Sequence, residues 1–168
     1  RSTLEALGKQ TYANFEVCVV SELAQAGLTD YEGIPKFRLV LFNGTAHEQL
    51  KAAEKMLNGA YFLQLLPGDL PAPDALHMLV LQTHANPEAE VVFADEDSVI
   101  DGIRQNPIFK PDYGRDTLRS FNSIGRPMLV SKRVHTAVGA AAHRPSFGHT
   151  ALTVLRLPSR SFTLQESG

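Results

Sequence analysis

Acidic side chains follow three apolar runs of this 168-residue sequence, and they are the residues best suited to chemistry. Glu22 follows the first run, Asp69 follows another, and Asp95, Glu96 and Asp97 come directly after a third. Carboxylates that converge at one edge of a sheet can chelate a divalent cation, and that cation can hold a diphosphate. In the alternative interpretation, each acid is an ordinary polar loop residue near a helix end.

Three adjacent acids repel one another, so a cation or basic side chains should compensate their charge. Arg104, Lys110 and Arg115 are close enough in the sequence to do so. The acidic run therefore predicts either a metal site or a network of ion pairs.

Other catalytic patterns are missing from the sequence. It has no GxGxxG or GxxxxGK[ST] loop to cradle phosphates, and Ser21 lacks a GxSxG nucleophile elbow. The six histidines show no HExxH spacing, so each is expected to be a surface or half-buried polar residue. The single cysteine, Cys18, excludes an internal disulfide and a cysteine-built zinc site.

Composition narrows the class of protein. With 168 residues, of which 43% are hydrophobic, the chain suits one globular domain spanning residues 1–168. A formal net charge of −2 argues against a dedicated nucleic-acid binder. No apolar run approaches the roughly 20 residues that cross a bilayer, so we expect no transmembrane segment and a cytoplasmic location. Because the first residue is Arg1, we expect a piece of a longer protein.

Hydrophobic patterning places the acids at the ends of strands. Strands are predicted at residues 15–21, 37–42, 61–66, 90–95 and 128–131. Helices are predicted at residues 3–10, 45–57, 73–84, 112–121 and 149–157, the second opened by a capping box of Thr45 and Glu48. This alternation predicts an α/β fold with a mostly parallel sheet flanked by helices. In open sheets of this kind, ligands bind beyond the carboxyl ends of the strands.

Three stretches of the sequence match a known pattern. They are TLEALGKQTYANFEVCVV (residues 3–20), GAYFLQLLPGDLPAPDAL (59–76) and VVFADEDSVIDGIRQNPIFKPDYGRDTLRSFNSIGRPMLVSKR (91–133). In this order they resemble the motifs SLxxQTYxNxEhhhVDD, GEYhxhLDxDDxLxPDAL and hYSDEDxhxxxGxRxxPxFKPDWSPDLLxSxNYIGHhhhhRR, where h is hydrophobic. These are motifs of family 2 glycosyltransferases of GT-A (Rossmann-like) fold, the third from a bacterial subgroup that builds surface polysaccharides. The resemblance extends over about residues 3–157.

For an intact enzyme, the resemblance implies inverting transfer of a sugar from a nucleotide sugar to a glycan acceptor. Mn²⁺ or Mg²⁺ on an Asp-x-Asp motif would stabilise the leaving diphosphate, and a carboxylate base would take the acceptor's proton. Glu22 and Asp69 fall at nucleotide-sugar positions, and Asp69 also falls at the metal position. Asp97, Lys110 and Asp112 fall on the acceptor side.

The chain departs from that machinery at three places. Glu22 follows a serine where the family has an aspartate pair, and the D-x-D-D stretch is LPGD, which keeps only Asp69. The position of the catalytic base falls on GHT, so His149 is a candidate substitute base. Asp95, Glu96 and Asp97 are further catalytic candidates, or they support the fold.

The first hypothesis is therefore a degenerate glycosyltransferase-like domain, weakly active or inactive, that serves polysaccharide assembly as a structural or carbohydrate-binding module. The alternative is an active transferase that another segment or chain completes. A third hypothesis is a scaffold for protein contacts. In the expected cytoplasmic location, association with the inner membrane would be peripheral and would depend on partners.

The sequence also lacks a counterpart of the family's opening strand, which lies inside the sheet. We therefore expect the strand at residues 15–21 to have an open edge, which is prone to pair with another chain. Either another segment completes the sheet there, or the neighbouring strands pair directly across the gap.

Overall fold

The computed structural model of the protein describes residues 2–21, 34 and 36–138. Helices and strands alternate along this part of the chain, which confirms the α/β class. The helices are α1 (Ser2–Gly8), α2 (Ala46–Met56), α3 (Ala75–Ala85), α4 (Arg115–Ser120) and α5 (Lys132–Val138). The strands are β1 (Val17–Ser21), β2 (Phe37–Leu41), β3 (Tyr61–Leu63), β4 (Val91–Phe93), β5 (Glu96–Ile100), β6 (Ile103–Ile108) and β7 (Met128–Ser131).

The described strands form three small sheets rather than the single, mostly parallel sheet that was predicted. β1 and β2 pair in parallel, with Val17 opposite Phe37. β7 lies between β3 and β4 and runs antiparallel to both, so β3 and β4 point the same way without pairing with each other. β5 and β6 form an antiparallel pair. The parallel-sheet expectation fails in this region because a late strand inserts between two earlier ones.

Two apolar clusters lie on the two faces of β1. Val17 and Val19 pack with residues of α1, α3 and β3, whereas Cys18 and Val20 pack with α2 and with Phe62 of β3. All four of these side chains are buried. A strand covered on both faces needs an unbroken apolar run, which is what residues 17–20 provide.

The two clusters contain side chains of both β1 and β3, although no ladder joins these strands among the described residues. The N–H of Val17 donates to the carbonyl of Lys36 (2.9 Å), so alternate residues of β1 turn their main chain toward β2. The main-chain N–H and C=O groups of Cys18 and Val20 therefore point to the opposite edge of β1, where no strand lies among the described residues. Direct pairing across the gap is not seen there, and completion by another segment remains a prediction.

Local signals explain the helix ends. Thr45 Oγ1 accepts the N–H of Glu48 (3.3 Å), and Glu48 Oε2 accepts the N–H of Thr45 (2.8 Å), so the predicted capping box is confirmed. Gln10 ties α1 to the start of α3, because its Nε2 donates to the carbonyl of Ala72 (2.7 Å) and its Oε1 accepts the N–H of Leu76 (3.1 Å).

Sequence analysis missed three elements, namely β5, β6 and α5. The β5–β6 hairpin turns at Asp101 and Gly102, whose φ angles of 52° and 79° suit a two-residue turn of the kind that Asp-Gly favours. Other predicted elements are present, several of them shorter than expected. The helix predicted at residues 149–157 lies outside the described residues.

Candidate functional site

A cavity of about 750 Å³ lies where β3 and β4 end. This volume falls within the range of roughly 300–1,000 Å³ that is typical of small-molecule sites. Its apolar lining residues include Leu70, Met78 and Val92. The charged residues that line the cavity are Asp69, Asp95, Glu96, Asp97, Arg104, Lys110, Asp112 and Arg126.

Asp69 closes the turn that follows β3. Its Oδ2 accepts the N–H of Leu66 (2.8 Å), and its Oδ1 lies 3.3 Å from Arg126 Nη2. Gly68 has a φ of 98°, and its N–H donates to the buried Thr3 Oγ1 (2.9 Å), which anchors the turn on α1. Both oxygens of the Asp69 carboxylate are therefore engaged by the protein itself.

Lys110 connects three parts of the site. Its N–H donates to Asp95 Oδ1 (2.8 Å), its Nζ donates to the carbonyl of Arg126 (2.6 Å), and the same Nζ lies 3.6 Å from Glu96 Oε1. The side chain is only 2% exposed. Burial lowers the pKa of Lys110, while the carboxylates of Glu96 and Asp95 act in the opposite direction. These contacts join the end of β4, the hairpin and the segment before β7.

Gly125 lies against the ion pair of Lys110 and Glu96. Its φ is 54°, and a Cβ at this position would lie 2.9 Å from Glu96 Oε1. A larger residue would strain the backbone and push the carboxylate aside.

Asp97 is held across the β5–β6 hairpin. Arg104 Nε donates to Asp97 Oδ2 (2.7 Å), and Nη2 donates to Oδ1 (3.2 Å), a bidentate arrangement. In the described part of the chain, Asp112 lines the cavity without an ion pair, so its carboxylate is available to a ligand.

Arg104 and Lys110 compensate the acidic run, as the spacing of charges predicted. Arg115, the third expected partner, makes no ion pair within the described ranges, and Arg126 lies beside Asp69 instead. Sequence analysis did not single out Arg126. One feature of the sequence could have pointed to it. Residues 124–126 are IGR, whereas the family motif has a histidine at the position of Arg126.

The structure thus brings Asp69, Asp95, Glu96 and Asp97 to one cavity, together with Lys110 and Asp112, but not as a cation-binding cluster. Among residues 2–21, 34 and 36–138, no group of three or more His, Cys, Asp or Glu side chains could hold a metal ion. With Asp69 engaged by Leu66 and Arg126, the cavity residues that the structure describes do not by themselves fit Mn²⁺ or Mg²⁺. Glu22 and His149, the other nucleotide-sugar and base candidates, lie outside the described residues.

A buried histidine and a partly exposed glutamate form an ionisable pair on the α2 side of β3, outside the cavity. His135 Nδ1 is 2.7 Å from Glu54 Oε1, and the imidazole packs against Phe62 at a centroid distance of 5.0 Å. Burial lowers the pKa of His135. The pair joins α5 to α2. His135 is buried, whereas the sequence analysis expected each histidine to be at the surface or half-buried. Within the described ranges, no helix combines the length and apolar character that crossing a membrane requires.

Comparison with known proteins finds partial similarity between the chain and two much longer proteins. It is 32% identical over 146 residues, 82% of its length, to an uncharacterized protein, y4gI, of Sinorhizobium fredii. It is 35% identical over 72 residues, 42% of its length, to the O-antigen biosynthesis protein RfbC of Myxococcus xanthus. The matched regions cover 16% of the first relative and 6% of the second, so the chain corresponds to a small part of each. No family model and no solved structure matches the chain.

Proposed function

We propose that this chain is a family 2 glycosyltransferase-like domain whose catalytic motifs are degenerate, and that it serves polysaccharide assembly by binding carbohydrate in the cavity. The three motif stretches and the partial similarity to an O-antigen biosynthesis protein support this assignment. The observation that carries it is that both oxygens of the Asp69 carboxylate already contact other groups of the protein.

A metal-dependent transferase needs carboxylate oxygens that are free to bind the cation. Here one oxygen of Asp69 accepts a turn N–H and the other faces the Arg126 guanidinium, which repels a divalent cation. Leu66 occupies a position where the family motif has an acid, and a hydrocarbon cannot coordinate a metal. The loss of a metal removes several kcal/mol of stabilisation from the developing charge.

The residues that line the cavity support the carbohydrate-binding part of the proposal. Sugars present hydroxyl groups, which carboxylates accept strongly, and also C–H faces, which apolar walls cover. Asp112 supplies an available carboxylate, and Leu70 and Met78 supply the apolar wall. These features favour carbohydrate binding over a scaffold that makes only protein contacts.

The test has two parts. In the first, the protein is incubated with a panel of nucleotide sugars, glycan acceptors and Mn²⁺ or Mg²⁺, and release of the nucleotide is followed. We expect no metal-dependent turnover. Turnover that Asp69→Ala abolishes would support the alternative, an active transferase completed by another segment or chain.

In the second part, calorimetry measures binding of mono- and oligosaccharides of glucose, galactose, mannose and rhamnose. We expect binding that Asp112→Asn weakens at least tenfold, by the loss of about 1.4 kcal/mol in charge-assisted hydrogen bonding. Asp116→Asn is the matched control, because its side chain is 97% exposed and does not line the cavity. A wild-type protein that binds none of these sugars would refute the proposed function.

A further inference from the structure

Strand β4 has one edge that pairs with no strand among the described residues, while its other edge pairs with β7. The N–H of Ser131 donates to the carbonyl of Glu90 (2.8 Å), which makes these two residues a hydrogen-bonded pair of the antiparallel ladder. Hydrogen-bonded and non-hydrogen-bonded pairs alternate along such a ladder, so Val91 and Phe93 turn their main chain away from β7. Their N–H and C=O groups therefore point to the free edge.

This free edge borders the cavity. All three residues of β4 line the cavity, although successive side chains of a strand point to opposite faces of its sheet. What the three residues share is the edge of the strand. Val91 and Phe93 are only half-buried, so a ligand in the cavity can reach their main-chain groups.

Helix α3 supplies a second wall of the cavity. Its lining residues recur at intervals of three or four and so share one face of the helix. They are Ala75, Met78, Leu79, Gln82 and the C-cap residue Asn86. From residue 75 to residue 86 a helix rises about 16 Å, which matches an extended segment of about five residues. Part of the cavity is therefore a groove between an open strand edge and a helix.

The charges beyond the carboxyl end of β4 favour a cationic ligand. Five acidic and three basic residues line the cavity, and each of the bases, Arg104, Lys110 and Arg126, already lies beside a carboxylate. Asp95, two residues beyond Phe93, makes no ion pair in the part of the chain that the structure describes. A second copy of the chain would bring the same excess of negative charge, so a partner with a basic end complements the groove better.

We propose that the groove between β4 and α3 binds an extended peptide segment of a partner protein, which adds to β4 as a strand and carries a lysine or arginine beside Asp95. Main-chain hydrogen bonds to Val91 and Phe93 supply affinity, and the side chains of α3 contact alternate residues of the peptide. This inference goes beyond the proposed function, because its ligand is a peptide. Failure of either proposal leaves the other standing, since sugars and peptides are titrated separately.

The experiment measures fluorescence anisotropy of labelled peptides with blocked ends. Because an added strand can run parallel or antiparallel to β4, the probes are KTVTVT and TVTVTK. We expect one of them to bind, and its counterpart with glutamate in place of lysine to bind about tenfold more weakly. Methylation of alternate peptide nitrogens removes main-chain donors and keeps the side chains, so it should abolish binding. Failure of both probes, or equal binding of the methylated peptide, would overturn the proposal.

Two variants test the two walls. Val91→Pro removes an N–H at the free edge and leaves the ladder with β7 intact, so it should weaken peptide binding about tenfold. Met78→Lys places a cation on the helical wall and should weaken it similarly. Leu81→Lys is the matched control, because Leu81 is also exposed on α3 but does not line the cavity. Equal effects of the two lysine substitutions, or unchanged binding in Met78→Lys, would contradict the groove.

Amide hydrogen exchange tests the competing occupants. We expect rapid exchange at Val91 and Phe93 in the protein alone and slower exchange when the peptide is bound. Slow exchange without peptide would show that the edge is already paired and would overturn the proposal. Sedimentation then assigns that pairing to a second copy, if the protein is a dimer, or to another segment of the same chain, if it is a monomer.

Discussion

Arg126 Nη2 lies 3.3 Å from Asp69 Oδ1, so a guanidinium faces the acid that follows β3. A divalent cation at this carboxylate would have to displace the arginine and also the hydrogen bond from the N–H of Leu66. The same arginine contributes its carbonyl to the buried Lys110 ammonium. The contacts at the centre of the cavity are therefore ion pairs and turn hydrogen bonds, which hold the cavity in shape.

Replacement of Lys110 tests this network. Lys110→Ala removes the Nζ donor from the carbonyl of Arg126 and leaves Glu96 without its cation. We expect a loss of about 1–3 kcal/mol in the free energy of unfolding, toward the lower end because Glu96 is partly exposed. Urea denaturation measures it. Lys51→Ala, at an exposed position of α2, serves as control and should change stability by less than about 0.5 kcal/mol. Equal effects of the two substitutions would show that Lys110 has no structural role.

The glycine beside Glu96 gives a second prediction. Gly125→Ala places a Cβ 2.9 Å from Glu96 Oε1 at a φ of 54°, so we expect a loss of about 1–3 kcal/mol. The same substitution in a Glu96→Ala background is the matched control, because it keeps the backbone strain and removes the contact with Glu96. Thermal unfolding should show the larger loss when Glu96 is present. If Gly125→Ala is as harmful without Glu96, the contact with Glu96 adds nothing to the backbone strain.

The contacts of Glu90 predict how the free energy of unfolding depends on pH. The Ser131 hydroxyl donates to Glu90 Oε2 (2.5 Å), and Arg133 Nε donates to Oε1 (2.9 Å); these contacts lower the pKa of Glu90 below its usual 4.5. Glu90 therefore binds a proton more readily in the unfolded chain than in the folded one. Its ionised carboxylate stabilises the fold above about pH 4.5, and this stabilisation is lost as the pH falls through the folded-state pKa of Glu90. Unfolding of the wild type and of Glu90→Gln should differ at pH 7 and converge in acid. A difference that grows in acid would contradict the assigned direction.

The open edge of β1 can be tested by amide hydrogen exchange. Val17 donates its N–H to Lys36 within the β1–β2 pair, whereas the N–H groups of Cys18 and Val20 point to the edge where the described chain has no strand. We expect slower exchange at Val17 and Val19 than at Cys18 and Val20. Equal protection of both sets would mean that a further strand already pairs with β1, and the expected open edge would be wrong.

The sequence predicted the features that local patterns determine. The capping box of Thr45 and Glu48, the doubly covered strand β1 and the compensation of the acids by Arg104 and Lys110 depend on residues close together in the chain. The hairpin at Asp101 and Gly102 could also have been predicted locally, because Asp-Gly between two isoleucines is a strong hairpin signal.

Long-range features could not be predicted in the same way. The sequences of β3, β4 and β7 do not indicate that β7 inserts between the other two. An apolar run predicts a strand, but it does not predict which strand pairs with it or in which direction. The contact of Arg126 with Asp69 joins two turns far apart in the chain. Sequence analysis placed Asp69 at a metal position, and its engagement by Leu66 and Arg126 appeared only with the fold.

The most direct measurement is calorimetric titration of the protein with uridine diphosphate, with and without Mn²⁺, on the wild type and on Asp69→Asn. Because the Asp69 carboxylate is already engaged by the protein, we predict no binding that depends on the metal and no difference between the two proteins. Micromolar, Mn²⁺-dependent binding that Asp69→Asn abolishes would contradict the degenerate site and establish a functional diphosphate site.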